Sequence, residues 1–349
     1  MATLSLLTTP THPNASRRIT APGGYESWRF SATSDDGSIH VVAELHAAWA
    51  LDRAALRRYW AYRRFPTRVR PPNPSRHPAV TFALYERGRQ PIVLTTRLAA
   101  EDFSADDAGR SVRVGGSHAQ RGTDDAVHLN VRGATTHGQT IAARLTLRPH
   151  VEGGGEVMLF GAPDGRDDTI GSAPRDGRGV HGWVIADPLC DVNGEISVFR
   201  EAGGPPRVIP FAGVGCHDHY YGTRPLADAA DEWLSGRIVL EDHALLFRRA
   251  GSDAAHVCEA RAGQPLEIRT EAIRTDGVSR TARGVVYPAA MTIAGVAELA
   301  EPKVIDSSWH GVVLEYRATI GNDRAVALVE LLRPKRVVWP LWWGGELSH

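Results

Sequence analysis

The densest group of proton-transfer side chains in this chain lies in residues 215–222, which read GCHDHYYG. Two imidazoles, a carboxylate and two phenols occupy the five consecutive positions 217–221. Burying so many polar groups is costly unless each finds a hydrogen-bond partner. Carboxyl and imidazole groups are also the common acids and bases of enzymes, so this segment is the first candidate for a functional site.

The geometry of a strand restricts how these groups can cooperate. If the segment is extended, His217 and His219 point to one face of the sheet and Asp218 points to the other. All three can line one cavity only where the strand bends or forms a bulge. Glycines occupy positions 213, 215 and 222, which makes a bulge compatible with the sequence.

Two other interpretations of the segment stay open. Its polar groups could satisfy backbone groups in a turn and tie two domains together by hydrogen bonds. Two histidines at i and i+2 could also present metal ligands, with His181, His243 or Glu26 as a third donor, but no spacing supports a specific third ligand. The chain also has no glycine-rich phosphate loop between a strand and a helix, no Gly-x-Ser-x-Gly and no Cys-x-x-Cys. We therefore predict neither a metal site nor a cofactor.

Short alternating segments dominate the rest of the chain and predict an all-β protein. Residues 25–45 alternate apolar and polar side chains around the turn sequence Asp35-Asp36-Gly37, which is typical of a hairpin. Residues 52–65 instead carry apolar side chains at three- and four-residue spacing, and Asp52 can cap the helix that this pattern predicts. Regular short strands with hardly any helix favour antiparallel barrels or sandwiches.

The length of the chain predicts two domains. At 349 residues it exceeds the usual size of one hydrophobic core. We expect a flexible leader at 1–21, an N-terminal β domain at 22–195 and a C-terminal β domain at 196–349. The glycine-rich segment 153–178 is typical of a loop at the edge of the first half.

Composition excludes several partners. The 40 basic and 40 acidic residues balance and form no long basic run, so a nucleic-acid partner is not expected. Three scattered cysteines indicate a reducing compartment rather than a disulfide framework. The N-terminus does not read as a signal peptide and no apolar run is long enough to span a membrane, so we expect a cytoplasmic protein. The aromatic run 337–343 is either the last barrel strand or a peripheral lipid contact.

Several stretches carry a resemblance to a known family. In chain order they are GGYESWRF at 23–30 with SDDG at 34–37, HGW at 181–183 with GEI at 194–196, and GVGCHDHYYGTRPL at 213–226. With these, the chain resembles the hydroxyneurosporene synthase (carotenoid 1,2-hydratase) family and its lipocalin-like relatives, which include fungal Diels–Alderases. The similarity covers about residues 22–345. The chain departs from the family at Tyr220-Tyr221, where the family usually carries Asn-Trp, and at Arg29, where it tends to have an aromatic residue.

The resemblance implies a fold and an activity. The fold would be two tandem lipocalin-like antiparallel β-barrels or half-barrels, with one short helix in the first domain. Barrels of this kind enclose one small hydrophobic ligand. The activity would be that of a carbon–oxygen lyase of carotenoid biosynthesis, which adds water to an isoprenoid alkene without a cofactor.

Hydration of an isolated alkene requires a strong acid, and Asp218 is our candidate. A carboxyl group in an apolar cavity has a raised pKa and stays protonated at neutral pH. Aromatic faces could stabilise the carbocation, and His217 or His219 could take the proton that the adding water loses. The residues expected to surround the substrate are Tyr220, Tyr221, Trp28, Glu26, Trp183 and Trp233.

Three functions stay open on these residues. Asp218 would be essential for a hydratase, helpful for a cyclase or Diels–Alderase that holds a reactive conformer, and irrelevant for a carrier of hydrophobic small molecules. Arg224 lies two residues after the segment 215–222. A salt bridge between Arg224 and Asp218 would keep the carboxylate ionised and would weaken its role as an acid.

Overall fold

Two antiparallel sheets, formed one after the other along the chain, make up most of the protein. The structure is a computed structural model and describes residues 12, 14–135, 138–151, 153–161, 178–200, 203–240, 242–251 and 254–338. Within these ranges the first sheet has twelve strands and the second has nine. Each sheet curls around a hydrophobic core of its own. The predicted all-β fold of two tandem antiparallel half-barrels is thereby confirmed.

The strands follow in chain order. The first sheet contains β1 (Tyr25–Ser34), β2 (Ile39–Ala48), β3 (Ala79–Glu86), β4 (Ile92–Arg97), β5 (Phe103–Ala105), β6 (Ser111–Val114), β7 (Ser117–Arg121), β8 (Val127–Ala134), β9 (Thr140–Pro149), β10 (Gly155–Phe160), β11 (His181–Phe199) and β12 (Arg207–Gly222). The second contains β13 (Trp233–Val239), β14 (His243–Ala250), β15 (Ala255–Arg261), β16 (Glu267–Glu271), β17 (Ile273–Arg280), β18 (Val286–Ile293), β19 (Ala297–Ser307), β20 (Gly311–Ile320) and β21 (Asp323–Leu332).

Strand order places residues 215–222, called the central motif from here on, in the middle of the first sheet. The first sheet runs β4-β3-β2-β1-β12-β11-β9-β8-β7-β6-β5, with β10 added beside β11. The second runs β16-β15-β14-β13-β21-β20-β19-β18-β17. Strand β12, which carries the motif, therefore lies between β1 and β11. On the β1 side, the strands β2, β3 and β4 follow to the edge of the sheet.

The predicted helix is present and begins where the sequence indicates. Helix α1 (Arg53–Arg64) follows Asp52, whose side chain accepts a hydrogen bond from the Ala55 amide at 2.8 Å. It ends at Phe65, directly before Pro66. Two shorter helices, α2 (Leu226–Ala229) and α3 (Pro334–Val338), lie in the later part of the described chain.

The chain passes from one sheet to the other between Gly222 and Trp233, through α2. The predicted domain boundary at 195/196 instead lies inside β11, which pairs with β12 in one long hairpin of the first sheet. The alternation of apolar and polar residues is interrupted in the middle of β11, so the sequence pattern indicates two short strands in place of one long strand. The interruption coincides with shifts in the register of the β11–β12 pairing between Ile185 and Asp187 and again before Cys190. Bulges of this kind interrupt the period of two without ending the strand.

Part of the segment assigned to a flexible leader is packed. Ala15, Ile19 and Ala21 are buried, and the Arg17 amide donates to the Glu26 carboxylate.

Residues 1–11 and 13 lie outside the described residues, as do 162–177 of the predicted loop. The described part of the predicted loop 153–178 contains a strand, β10, at Gly155–Phe160. Of the aromatic run 337–343, only the end of α3 falls within the described ranges, and it is helical rather than extended.

The described helices are all short. None of them, over the ranges given above, has the length and apolar character needed to cross a membrane. The three cysteines, Cys190, Cys216 and Cys258, are buried free thiols.

Candidate functional site

Strand β12 stays regular through the motif and separates its side chains onto two faces. Its pairing with β1 continues without a register shift from Tyr25 opposite Gly222 to Ser34 opposite Gly213. The bulge that would bring Asp218 and both histidines to one cavity is therefore not present in this strand.

The glycines around the motif allow β1 and β12 to approach closely. A Cβ atom at Gly213 would lie 2.1 Å from the Thr33 carbonyl oxygen, and one at Gly215 would lie 2.5 Å from that of Ser31. These distances are far shorter than a carbon–oxygen contact. The glycines thus serve strand packing rather than a change of direction.

His217 faces the core of the first half-barrel. Its Nδ1 lies 3.0 Å from Oδ2 of Asp187, and its ring stacks on Phe30 with 4.2 Å between the centroids. Arg121 also donates to both oxygens of Asp187, at 2.7 and 2.5 Å. Burial alone would raise the pKa of Asp187, but the contacts with His217 and Arg121 lower it. His217 is therefore part of a buried ionic network on the inner face.

His219 lies two residues further along β12, on the same face, and has a similar environment. Its Nε2 lies 3.1 Å from Oε1 of Glu26, and its ring stacks on Trp28 at 4.5 Å. Burial lowers the pKa of His219, so its imidazole is neutral at pH 7. Tyr221, on the same face, donates to Glu156. Five predicted site residues thus face away from the second sheet; these are Glu26, Trp28, His217, His219 and Tyr221.

Asp218 and Tyr220 lie on the opposite face, which packs towards the second sheet. Register across three strands gives them neighbours that the sequence does not single out. Asp218 is opposite Arg29, which is opposite Glu44. Tyr220 is opposite Ser27, which is opposite His46. Two adjacent rows of polar side chains therefore share this outer face.

A cavity of about 330 Å³ separates the two sheets at these rows. This volume is at the lower end of the range of about 300–1,000 Å³ that is usual for small-molecule sites. From the first sheet the polar lining is Tyr25, Ser27, Arg29, Glu44, His46, Thr81, Tyr85, Thr95 and Tyr220. From the second sheet the lining includes Trp233, Leu234, Ser235, Arg248 and Glu330. Tyr220 and Trp233 are thus the two predicted substrate-binding residues that line it.

Asp218 lines a smaller recess of about 30 Å³ that adjoins the cavity. Trp183, Cys216 and Arg237 also line this recess. The recess and the cavity share the side chains of Arg29, Ser235, Arg248 and Glu330. A recess of this volume has room for a water-sized group beside the Asp218 carboxyl.

Asp218 has the protonation preference expected of an acid. Its side chain is buried, and Trp183 donates its indole N–H to Oδ1 at 3.2 Å. Burial raises the pKa of Asp218, although Arg248, the Trp183 hydrogen bond and Arg29 act in the opposite direction. Arg224, the cation suggested by the sequence, instead donates to the Tyr59 hydroxyl at 3.3 Å.

Arg29 connects the two sheets across the cavity. It donates to Glu44 of β2 at 2.8 Å and forms an ion pair with Glu330 of β21. Burial disfavours the charge on Arg29, but the two carboxylates hold its pKa well above the ordinary value. Burial also opposes the charge on Glu44, but the Arg29 guanidinium lowers its pKa overall. Both groups are therefore ionised at neutral pH.

His46 lines the cavity as a neutral imidazole. Burial lowers its pKa to about 4, with Glu44 acting in the opposite direction. Its Nδ1 lies 2.7 Å from Ser27 Oγ, and its Nε2 lies 3.2 Å from Thr81 Oγ1 and 3.4 Å from Glu44 Oε2.

Protonation of His46 should make the fold less stable in mild acid. The unfolded chain binds this proton near pH 6.5 but the folded chain binds it only near pH 4, so stability is complete above about pH 6.5 and falls as the pH is lowered towards 4. The full loss is about 3 kcal/mol. We expect His46→Gln to lower the slope of unfolding free energy against pH in this window, measured by urea titrations. His128→Gln, at an exposed position, is the control and should keep the wild-type slope. An unchanged slope in His46→Gln would contradict the low pKa.

The histidines suggested as metal ligands have other contacts. His181 Nδ1 lies 2.9 Å from the Tyr25 hydroxyl, and His243 Nδ1 lies 3.0 Å from Asp242. In the part of the chain that the structure describes, no group of three or more His, Cys, Asp or Glu residues is placed to bind one metal ion.

Comparisons with known proteins support the resemblance found in the sequence. No protein-family model matches the chain. A curated protein of Chlorobaculum tepidum named hydroxyneurosporene dehydrogenase is 29% identical over 235 residues, which cover 66% of this chain and 58% of that protein. The chain thus aligns with less than two thirds of the relative's length.

Solved structures share the fold. A protein of Nitrosomonas europaea described as AttH superposes with a TM-score of 0.58 at 15% identity, covering 89% of this chain and 92% of that one. The complex of CghA with Sch210972 superposes with a TM-score of 0.52 at 13% identity, covering 93% of each chain. At these identities the likeness establishes the fold. The curated relative supports the resemblance to the hydroxyneurosporene synthase family, and the two solved structures show the predicted fold.

Proposed function

We propose that this chain is an enzyme that adds water to a carbon–carbon double bond of a lipophilic isoprenoid, which binds in the cavity between the two half-barrels. The observation that carries the proposal is a buried carboxyl group, Asp218, whose pKa is raised and whose recess adjoins the cavity between the two sheets. Burial favours the protonated form of such a group, and in that form it can serve as a general acid. The name of the curated relative supports an isoprenoid of the carotenoid type as the substrate.

In the first step Asp218 protonates the alkene. The π electrons form the new C–H bond, the O–H bond of Asp218 breaks, and positive charge develops on the other alkene carbon. The carboxylate of Glu44 and the ring of Trp233 line the cavity and stabilise this charge. The reacting end of the substrate must therefore reach the mouth of the Asp218 recess.

In the second step water attacks the cation and loses a proton. His217 and His219, the bases predicted from the sequence, face the first half-barrel core and have no part in this proposal. Glu44 takes their role because Arg29 keeps it ionised and because it lines the cavity. The proton on Glu44 then returns to the Asp218 carboxylate through solvent, which completes the cycle without net consumption of acid.

The test is incubation of the purified protein, in detergent and without nucleotide, with lycopene, neurosporene and the shorter alkene geraniol. We expect a product one water heavier by mass spectrometry, and the product should carry the label when the reaction is run in ¹⁸O-water. A product of unchanged mass from a polyene would favour a cyclase instead. Binding without any product would favour a carrier of hydrophobic small molecules.

A further inference from the structure

Arg248 lies at the boundary between the cavity and the Asp218 recess without an anionic partner. Its guanidinium carbon lies 4.0 Å from the ring centroid of Tyr220 and 5.4 Å from that of Trp183. Among the described residues it forms no hydrogen bond and no ion pair. Contact with aromatic rings occupies the face of a guanidinium and leaves its N–H groups, which point outward in the plane, available.

Arg237 adds a second cation to the same recess. Its side chain is 5% exposed, and its Nη2 donates to the Ala32 carbonyl at 2.9 Å and to Thr33 Oγ1 at 3.0 Å. Within the described residues its Nε and Nη1 are buried without a hydrogen-bond partner. Buried charged donors without partners are costly, so a bound group that accepts from them would be strongly favoured.

The charges around the recess do not balance when Asp218 is protonated. Three guanidinium groups, those of Arg29, Arg237 and Arg248, line the recess. Glu44 and Glu330 supply two negative charges, and both of them pair with Arg29. One positive charge is therefore left over, and it belongs to the pair of arginines that have no carboxylate partner.

We propose that the ligand of this cavity is an amphiphile, whose carboxylate head group binds Arg248 and Arg237 while its apolar body occupies the cavity. The proposal rests on the proposed function for the location of the site. A planar carboxylate fits the fork of a guanidinium, and Arg248 lines both the recess and the cavity, so the head group binds where the two meet. The apolar lining for the body of the ligand includes Trp49, Leu51, Val93, Trp233 and Leu332.

Two further features agree with a carboxylate at this position. Tyr220, over which Arg248 lies, is one of the three positions, with Tyr221 and Arg29, at which the chain departs from the family that it resembles, and a head group absent from a hydrocarbon substrate would account for the change at Tyr220. A ligand carboxylate would also neutralise Arg248, the cation that most favours ionisation of Asp218. Binding of the ligand would therefore help Asp218 to keep its proton.

The test compares geranic acid with geraniol, which share one isoprenoid chain and differ in the head group. By calorimetry at pH 8, where the acid is ionised, wild-type protein should bind geranic acid at least about tenfold more tightly than geraniol, as expected for a charge-assisted hydrogen bond. Arg248→Gln should abolish this preference by weakening the binding of geranic acid far more than that of geraniol. Arg248→Lys should keep part of it, because the charge remains but the fork is lost.

Arg274→Gln is the control, because it removes the same charge from an exposed position on β17. It should bind both probes as the wild type does. Circular dichroism establishes that each variant is folded. Equal affinity of the wild type for the two probes, or an equal loss of both in Arg248→Gln, would overturn the carboxylate proposal and leave the proposed function intact. Absence of binding of either probe to the wild type would overturn both.

Discussion

Asp218→Asn should lower the rate of alkene hydration by about 10²–10⁴-fold, which is the usual contribution of a general acid. Asparagine keeps the size of the side chain and an oxygen that can accept the Trp183 indole hydrogen bond. It cannot donate an acidic proton. We therefore expect the variant to bind the isoprenoid with nearly the affinity of the wild type and to lose turnover.

The measurement is the initial rate of formation of the hydrated product, with binding measured separately on the same samples. His219→Gln is the comparison, because His219 belongs to the same motif but faces the first half-barrel core. This variant should keep most of its turnover once the folded fraction is taken into account. A large loss in His219→Gln together with an active Asp218→Asn would place the acid–base chemistry on the inner face and overturn the assignment.

The separation between these two residues follows from a rule that needs only the sequence. An extended strand places neighbouring side chains on opposite faces, so Asp218 had to oppose both histidines once β12 stayed regular. What the sequence does not tell is which face looks into a cavity. Both faces of this strand are buried, one by the first half-barrel core and the other by the second sheet, and therefore both carry aromatic and polar residues of similar type.

Glu44 and His46 could not be predicted as site residues because their place depends on pairing. They read as the polar positions of an ordinary alternating strand. Only the registers between β12, β1 and β2 bring them into line with Asp218 and Tyr220. The pairing of β1 with β12 joins segments far apart in the chain, and no local pattern reports such a contact.

Arg248 and Glu330 were missed for a related reason, since they belong to the second sheet. Their relation to Asp218 depends on how two sheets pack, which strand propensities do not determine. By contrast, helix α1 and the hairpin of β1 and β2 follow from local signals, the Asp52 cap and the Asp-Asp-Gly turn, and both were predicted.

The two faces of β12 thus have different physical roles. On the inner face each histidine is paired with a carboxylate and stacked on an aromatic ring, an arrangement that fixes the strand within its core. On the outer face Asp218 is buried without an ion-pair partner at hydrogen-bond distance in the described chain, and it adjoins open volume. Each of these histidines keeps one ring nitrogen, His217 Nε2 or His219 Nδ1, without a hydrogen-bond partner among the described residues, so the ion contact and the stacking are what hold the ring in place. The carboxyl group on the outer face instead lies beside open volume, where a substrate can reach it.

Arg29→Leu should lower the free energy of unfolding by about 3 kcal/mol or more, because it leaves two carboxylates in the cavity wall without their cation. The Arg29 side chain keeps only 14% of its exposure and pairs with Glu44 and Glu330, which belong to different sheets. The loss should be measured by urea unfolding. Adding Glu44→Gln and Glu330→Gln to Arg29→Leu should recover much of the stability, since the uncompensated charges are then removed.

Arg207→Leu is the matched control for this loss. Arg207 also makes two hydrogen bonds to one carboxylate, that of Glu86, at 2.6 and 2.8 Å, but its side chain is 30% exposed. Ion pairs with this access to solvent contribute about 1 kcal/mol or less. If Arg29→Leu cost no more than Arg207→Leu, the ion pair between the sheets would add nothing to stability. The width of the cavity would then depend on the apolar contacts around it, and Arg29 would be retained for its electrostatic effect on Glu44 and Asp218.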